Sequence, residues 1–167
     1  RFALVHNGIV ENYSELREEL EKQGAIFSSE TDSEVVVQLL ARIMGEIASM
    51  PEALRELQGR LQGSFALAIM DGEDPDHFFC VRRGSPLVLG LGKGEAFCAS
   101  DVSALLPYTR EVIYLEDGDM ARLGPCGATM WNATGEEIHR PGSMVDWDVT
   151  MAEKDGSIVA REMMKVT

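Results

Sequence analysis

Apolar positions in the first sixty or so residues recur at helical spacing, whereas later they cluster in short runs separated by turn residues. Phe2-Ala3-Leu4-Val5 reads as a buried strand. A helix is predicted next: Asn12 is its N-cap, Glu15 completes a capping box, Leu16 and Leu20 share a face, and Gly24 stops it. Ala25 to Phe27 is predicted as a short strand. A second helix opens at Thr31-Asp32-Ser33-Glu34, with Thr31 and Glu34 as another capping box. Val35, Val36, Leu39, Leu40, Ile43 and Ile47 mark its apolar side. Pro51 suits the first turn of a third helix carrying Leu54, Leu57 and Leu61.

From residue 64 the rhythm becomes that of a strand meander. Phe65 to Met70, His77 to Val81, Leu87 to Leu91 and Ala96 to Ala99 are apolar runs. Asp71-Gly72, Asp74-Pro75, Gly84-Ser85-Pro86 and Gly92-Lys93-Gly94 punctuate them. A helical turn is predicted over Val102 to Leu106, and three more strands over Val112 to Leu115, Met120 to Leu123 and Ala128 to Trp131. Helices first and antiparallel strands afterwards give an α+β class. Several strands are apolar on both faces, which places their sheets between covering layers. After Pro141-Gly142 the pattern weakens.

The 167 residues suffice for one domain with a substantial core. There are 15 basic and 28 acidic residues, a net charge of −13, which excludes a nucleic-acid or anionic-membrane binder on grounds of repulsion. No apolar run nears the roughly 18 residues a membrane span needs. Cys80 and Cys98 lie in apolar runs and Cys126 follows Gly124-Pro125. Three scattered thiols make no disulfide framework, so a reducing compartment, the cytoplasm, is expected. His6, His77 and His139 are too far apart in sequence for zinc-ligand spacing, and neither metal nor cofactor is expected.

Two positions carry candidate chemistry. Asn7-Gly8 offers a carboxamide beside a bare backbone N–H, the donors that hold the oxyanion of a tetrahedral intermediate. The same dipeptide is also a type I′ turn signal. Asp32 lies in a helix first turn, where the macrodipole and free N–H groups favour a carboxylate able to bind a substrate ammonium; acidic residues also stand in first turns for stability alone. His6 sits on an apolar strand and reads as a core histidine. Asp71-Gly72-Glu73-Asp74 and Glu116-Asp117-Gly118-Asp119 lack calcium-loop spacing and read as solvated turns. Gly90-Leu91-Gly92-Lys93-Gly94 lacks the Lys-Ser/Thr pair of a phosphate loop and reads as a hairpin turn. Ser100-Asp101 caps the turn at Val102.

In combination these segments resemble a known family. Val5-His6-Asn7-Gly8-Ile9-Val10-Glu11-Asn12, Ser29-Glu30-Thr31-Asp32-Ser33-Glu34, Arg82-Arg83-Gly84-Ser85-Pro86-Leu87-Val88-Leu89-Gly90-Leu91-Gly92, Ala99-Ser100-Asp101 and Tyr114-Leu115-Glu116-Asp117-Gly118-Asp119 follow the order and spacing of the glucosamine-6-phosphate synthases. The resemblance covers roughly residues 2 to 140. It implies the glutaminase domain of a class II glutamine amidotransferase, folded as an N-terminal-nucleophile hydrolase αββα sandwich. In that family an N-terminal cysteine attacks the amide of L-glutamine, with its own α-amino group as base, and the thioester is hydrolysed to glutamate. Ammonia then passes to a sugar isomerase domain and aminates fructose 6-phosphate. Asn7 and Gly8 correspond to the oxyanion hole, Gly8 also lying against the substrate, and Asp32 to the acid that binds the glutamine α-amino group.

The departures set further expectations. Residue 1 is Arg, and neither the N-terminal cysteine nor the family's Arg-Trp-x-Thr-His element is present. The chain therefore reads as an N-terminally truncated fragment: residues 1–140 as the C-terminal part of a glutaminase domain, 141–167 as a tail or linker toward an absent isomerase domain. Alone it is expected to be inactive, a reading that detectable glutamine hydrolysis would refute. The full-length protein is expected to be a homodimer. The competing reading is a stand-alone, non-catalytic binding or scaffold domain of the same fold.

Overall fold

The computed structural model describes residues 1–146 and 163–166. Its first element, β1 (Phe2–Val10), runs through Asn7-Gly8, which therefore form no hairpin turn. The partner strand is the reason. β2 (Gly63–Asp71) pairs antiparallel with the whole of β1, from Phe2 opposite Asp71 to Val10 opposite Gly63, and this ladder outweighs the local turn preference of Asn-Gly.

Three helices follow β1: α1 (Tyr13–Lys22), α2 (Asp32–Ile43) and α3 (Met50–Arg60). The strands after β2 are β3 (Asp74–Arg83), β4 (Val88–Leu91), β5 (Ala96–Ala99), β6 (Glu111–Tyr114), β7 (Met120–Gly124), β8 (Gly127–Trp131), β9 (Glu137–Ile138), β10 (Ser143–Met144) and β11 (Met163–Val166). A 3-10 turn spans Val102–Ala104. One sheet has the order β1-β2-β3-β7-β8-β9, the other β10-β6-β4-β5-β11. Every pairing is antiparallel, so the α+β class holds.

Alternation along β2 and β3 builds two cores. Phe65, Leu67, Ile69, Phe79 and Val81 point toward the helices and meet Leu20, Val36, Leu40, Leu54 and Leu57. Ala66, Ala68, Phe78 and Cys80 point the other way and meet Leu89, Ala96, Cys98 and Ile113 of the second sheet. Both faces are dry, which is why these strands read as continuous apolar runs. Each fully buried leucine contributes about 2 kcal/mol. Leu105, Leu106 and Val145 cover Val88, Phe97 and Val112 on the outer side of the second sheet.

Several local expectations change. Asn12 sits at the α1 N-cap but makes no capping bond. Its Nδ2 instead donates to the Arg60 carbonyl (2.9 Å) and its Oδ1 accepts from the Gln62 N–H (2.9 Å), clipping α1 to the end of α3. Thr31 does cap α2, but the Glu34 carboxylate turns outward to Ser28 and Ser29, so only half the capping box forms. Ala25 to Phe27 is not a strand; Phe27 packs on the core with the Arg17 guanidinium 4.6 Å above its ring. Pro75 lies within β3, and the turn before it is Gly72-Glu73. β9, β10 and β11 come from residues whose apolar pattern is weak. β10 and β11 fall within 141–167, of which 147–162 and 167 lie outside the described residues. Among the described residues no helix is long and apolar enough to cross a membrane.

Candidate active site

The candidate residues gather along the second half of β1. This strand is an edge of its sheet, so one side of its backbone is unpaired. In an antiparallel ladder, residues alternate between those whose N–H faces the partner strand and those whose N–H faces away. The Val10 N–H faces away, because it donates to Asp32 Oδ2 at 3.0 Å. Gly8, two residues earlier, shares that parity, so its N–H lies on the same open edge.

Gly8 has φ +126°, a backbone few L side chains adopt. A Cβ there would sit 2.1 Å from the Ser64 carbonyl oxygen and 2.8 Å from Ser85 Oγ. The tight approach of β2 and of the Gly84-Ser85-Pro86 segment thus demands glycine. Next to it, Asn7 is exposed and lines a groove between the sheets with Val5, Ala66, Leu87, Cys98 and Ser100. Its carboxamide has no hydrogen-bond partner among the described residues and is available to a ligand.

Asp32 is the first residue of α2, and its position is set from both sides. On the loop side, Thr31 Oγ1 accepts the Glu34 N–H at 3.3 Å. The Glu34 carboxylate accepts the Ser28 N–H (2.8 Å) and Ser29 N–H (2.6 Å) and hydroxyls of both serines, interactions that pull its pKa down to about 2, Ser29 contributing most. Arg17 adds a bond to the Ser29 carbonyl at 2.8 Å. On the strand side, Asp32 Oδ1 lies 3.5 Å from His6 Nδ1 and 3.5 Å from Ser33 Oγ, which is itself 3.1 Å from His6 Nδ1. The Asp32 side chain remains 24 % exposed, so a ligand can still reach it.

Asp32 and the Gly8 N–H therefore share one edge of β1, and the Asn7 carboxamide opens on the adjacent groove. His6 is a core histidine, as its strand position suggested, with a side chain 4 % exposed. Its tie to Asp32 through Ser33 was not legible, nor was the approach of Ser85 to Gly8, because both depend on contacts between distant segments. The remaining candidates are structural. Asp71 is buried against Arg1, whose guanidinium donates two bonds (3.0 and 2.8 Å) and holds the carboxylate below its usual range. Asp119 is buried and takes paired bonds from Arg140 (2.9 and 3.0 Å). Gly92-Lys93-Gly94 turns the β4–β5 hairpin, and the Asp101 carboxylate caps the Val102–Ala104 turn, accepting the Ser103 N–H at 2.7 Å. All three cysteines are free; Cys80 and Cys98 face each other across the sheets, where burial pushes the Cys80 thiol up, and Cys126 is exposed. No cluster of metal-binding side chains occurs among the described residues.

Comparison with known proteins gives this arrangement its relatives. A profile described as "Glutamine amidotransferase domain" matches residues 1–107. A glutamine–fructose-6-phosphate aminotransferase (isomerizing) from Symbiobacterium thermophilum is 48% identical over 156 residues, covering 93% of this chain and 25% of that protein. Its counterpart from Thermococcus kodakarensis is 46% identical over 157 residues, covering 93% and 26%. The chain thus spans about a quarter of the length of these relatives. Among solved structures, glutamine phosphoribosylpyrophosphate amidotransferase from B. subtilis matches with TM-score 0.67 and 27% identity, over 79% of this chain and 29% of that one. A glutamine aminotransferase class-II domain protein from Silicibacter pomeroyi, 19% identical with TM-score 0.56 over 78% of this chain and 65% of that one, shares the fold. The two packed antiparallel sheets are those of the N-terminal-nucleophile amidotransferases, and the chain belongs to the glutamine amidotransferase domain family.

Proposed function

We propose that this chain contributes the substrate-holding half of a glutaminase site in a glutamine–fructose-6-phosphate aminotransferase. The Asp32 carboxylate binds the α-ammonium of L-glutamine. The Asn7 carboxamide and the Gly8 N–H receive the side-chain amide oxygen as it becomes an oxyanion. Donors of that kind lower the barrier by about 3 kcal/mol each. The observation that carries this reading is the shared edge of β1: Asp32 binds the Val10 N–H at 3.0 Å, and Gly8 lies two residues back, about 7 Å along a strand. Five bonds of about 1.5 Å, zigzag, separate the ammonium nitrogen of glutamine from its amide oxygen by roughly 6 Å, which matches that spacing.

The attacking thiol is not among the described residues. Cys80 and Cys98 are buried in the inter-sheet core, and Cys126 lies on the β7–β8 turn. The 167 residues alone are therefore expected to release no ammonia from glutamine. In the whole protein, glutamine and water give glutamate and ammonia, and the ammonia aminates fructose 6-phosphate at a separate domain. The free thiols suit the cytoplasm, and dimerisation belongs to the whole protein.

Steady-state kinetics of Asp32→Ala in the whole protein test the assignment. Loss of a charge-assisted bond worth about 2 kcal/mol raises KM for glutamine roughly thirtyfold. An unchanged KM would overturn it.

A further inference from the structure

His6 is a buried polar side chain that the proposed chemistry leaves unused. It lies on the β1 face that packs on α2, away from the Asn7 groove, with its side chain 4 % exposed. Its Nδ1 is 3.1 Å from Ser33 Oγ and 3.5 Å from Asp32 Oδ1, while its Nε2 is buried with no hydrogen-bond partner. Such an orphan atom costs stability, and an apolar side chain of similar size would remove that cost.

The network favours one tautomer. A proton on Nε2 would be a buried donor without an acceptor, which folded proteins avoid more strictly than an unused acceptor. With its proton on Nδ1, the ring points that proton at Ser33 Oγ, whose own hydroxyl proton is then directed at Asp32 Oδ1. The opposite oxygen, Oδ2, takes the Val10 N–H. The carboxylate is gripped at both oxygens, and its exposed side faces the open edge of β1.

We propose that His6 is a positioning residue that, through Ser33, orients Asp32 for the glutamine ammonium, so that glutamine affinity depends on an imidazole the substrate does not touch. This rests on the assignment of Asp32 above. It also explains why a polar ring with an orphan nitrogen occupies a site that packing alone would give to leucine.

The experiment compares His6→Leu, His6→Asn, His6→Gln and Asp32→Ala in the whole protein, reading KM and kcat for glutamine and the thermal midpoint. Asparagine places an amide nitrogen where Nδ1 stood, whereas glutamine places one near Nε2. The expected result is that His6→Leu melts at or above the wild-type temperature yet raises KM about tenfold, with a smaller change in kcat. His6→Asn restores KM to within threefold of wild type and His6→Gln does not. If His6→Leu fails to fold, the Asn and Gln variants decide: equal KM values overturn the proposal. If Asp32→Ala raises KM and His6→Leu leaves it within twofold, the His6 inference fails alone. If Asp32→Ala itself leaves KM unchanged, the Asp32 assignment fails and the His6 inference with it.

Discussion

Gly8 answers to two demands that are easily confused. Its N–H lies on the open edge of β1, and its missing side chain lets Ser64 and Ser85 close in. Gly8→Ala would place a carbon 2.1 Å from the Ser64 carbonyl at φ +126°, so it should destabilise the fold by about 3 kcal/mol, measured by chemical denaturation. A loss of activity in that variant would report backbone strain before it reported oxyanion binding; wild-type stability would contradict the close approach. Asn7 is the cleaner probe, since its carboxamide is free to change without disturbing a bond among the described residues. The sequence singled out both residues as candidates through their combination with Asp32 and the Gly84-Ser85-Pro86 segment. It could not separate turn from strand at Asn7-Gly8, because that choice is made by pairing with β2, far along the chain.

At the entrance to α2 the same limit recurs in another form. Thr31 and Glu34 marked the start of the helix correctly, since capping chemistry is local. Their partners were less legible: Glu34 bonds Ser28 and Ser29 outside the helix, and Asn12 ties α1 to α3 where a cap was expected. Glu34 gives a pH test of this loop. Its folded-state pKa of about 2 lies below the ordinary 4.5, so its stabilisation is present above pH 4.5 and is lost as pH falls toward 2. The stability difference between wild type and Glu34→Gln should therefore shrink across that window, as read by urea denaturation at stepped pH. A pH-independent difference would show that the carboxylate does not hold the loop. Because that loop sets Asp32, the effect belongs to the positioning of the candidate site as well as to stability.

The molecule as a whole explains why its class was readable and its topology was not. Strands apolar on both faces required layers on both sides, and the two cores supply them. Sheet order depends on pairings such as β3 with β7 and β4 with β6, which no local signal encodes. The same packing puts the Asn7 groove between the sheets, lined by residues of β1, β2 and β5 together with Leu87 and Ser100. One substitution reaches the heart of this account: kcat for glutamine hydrolysis by Asn7→Ala in the whole protein, with KM measured alongside. An oxyanion donor acts in the transition state, so kcat should fall about 100- to 1000-fold while KM stays within about threefold. A kcat equal to wild type would contradict the oxyanion role of Asn7 and the glutaminase site built around it.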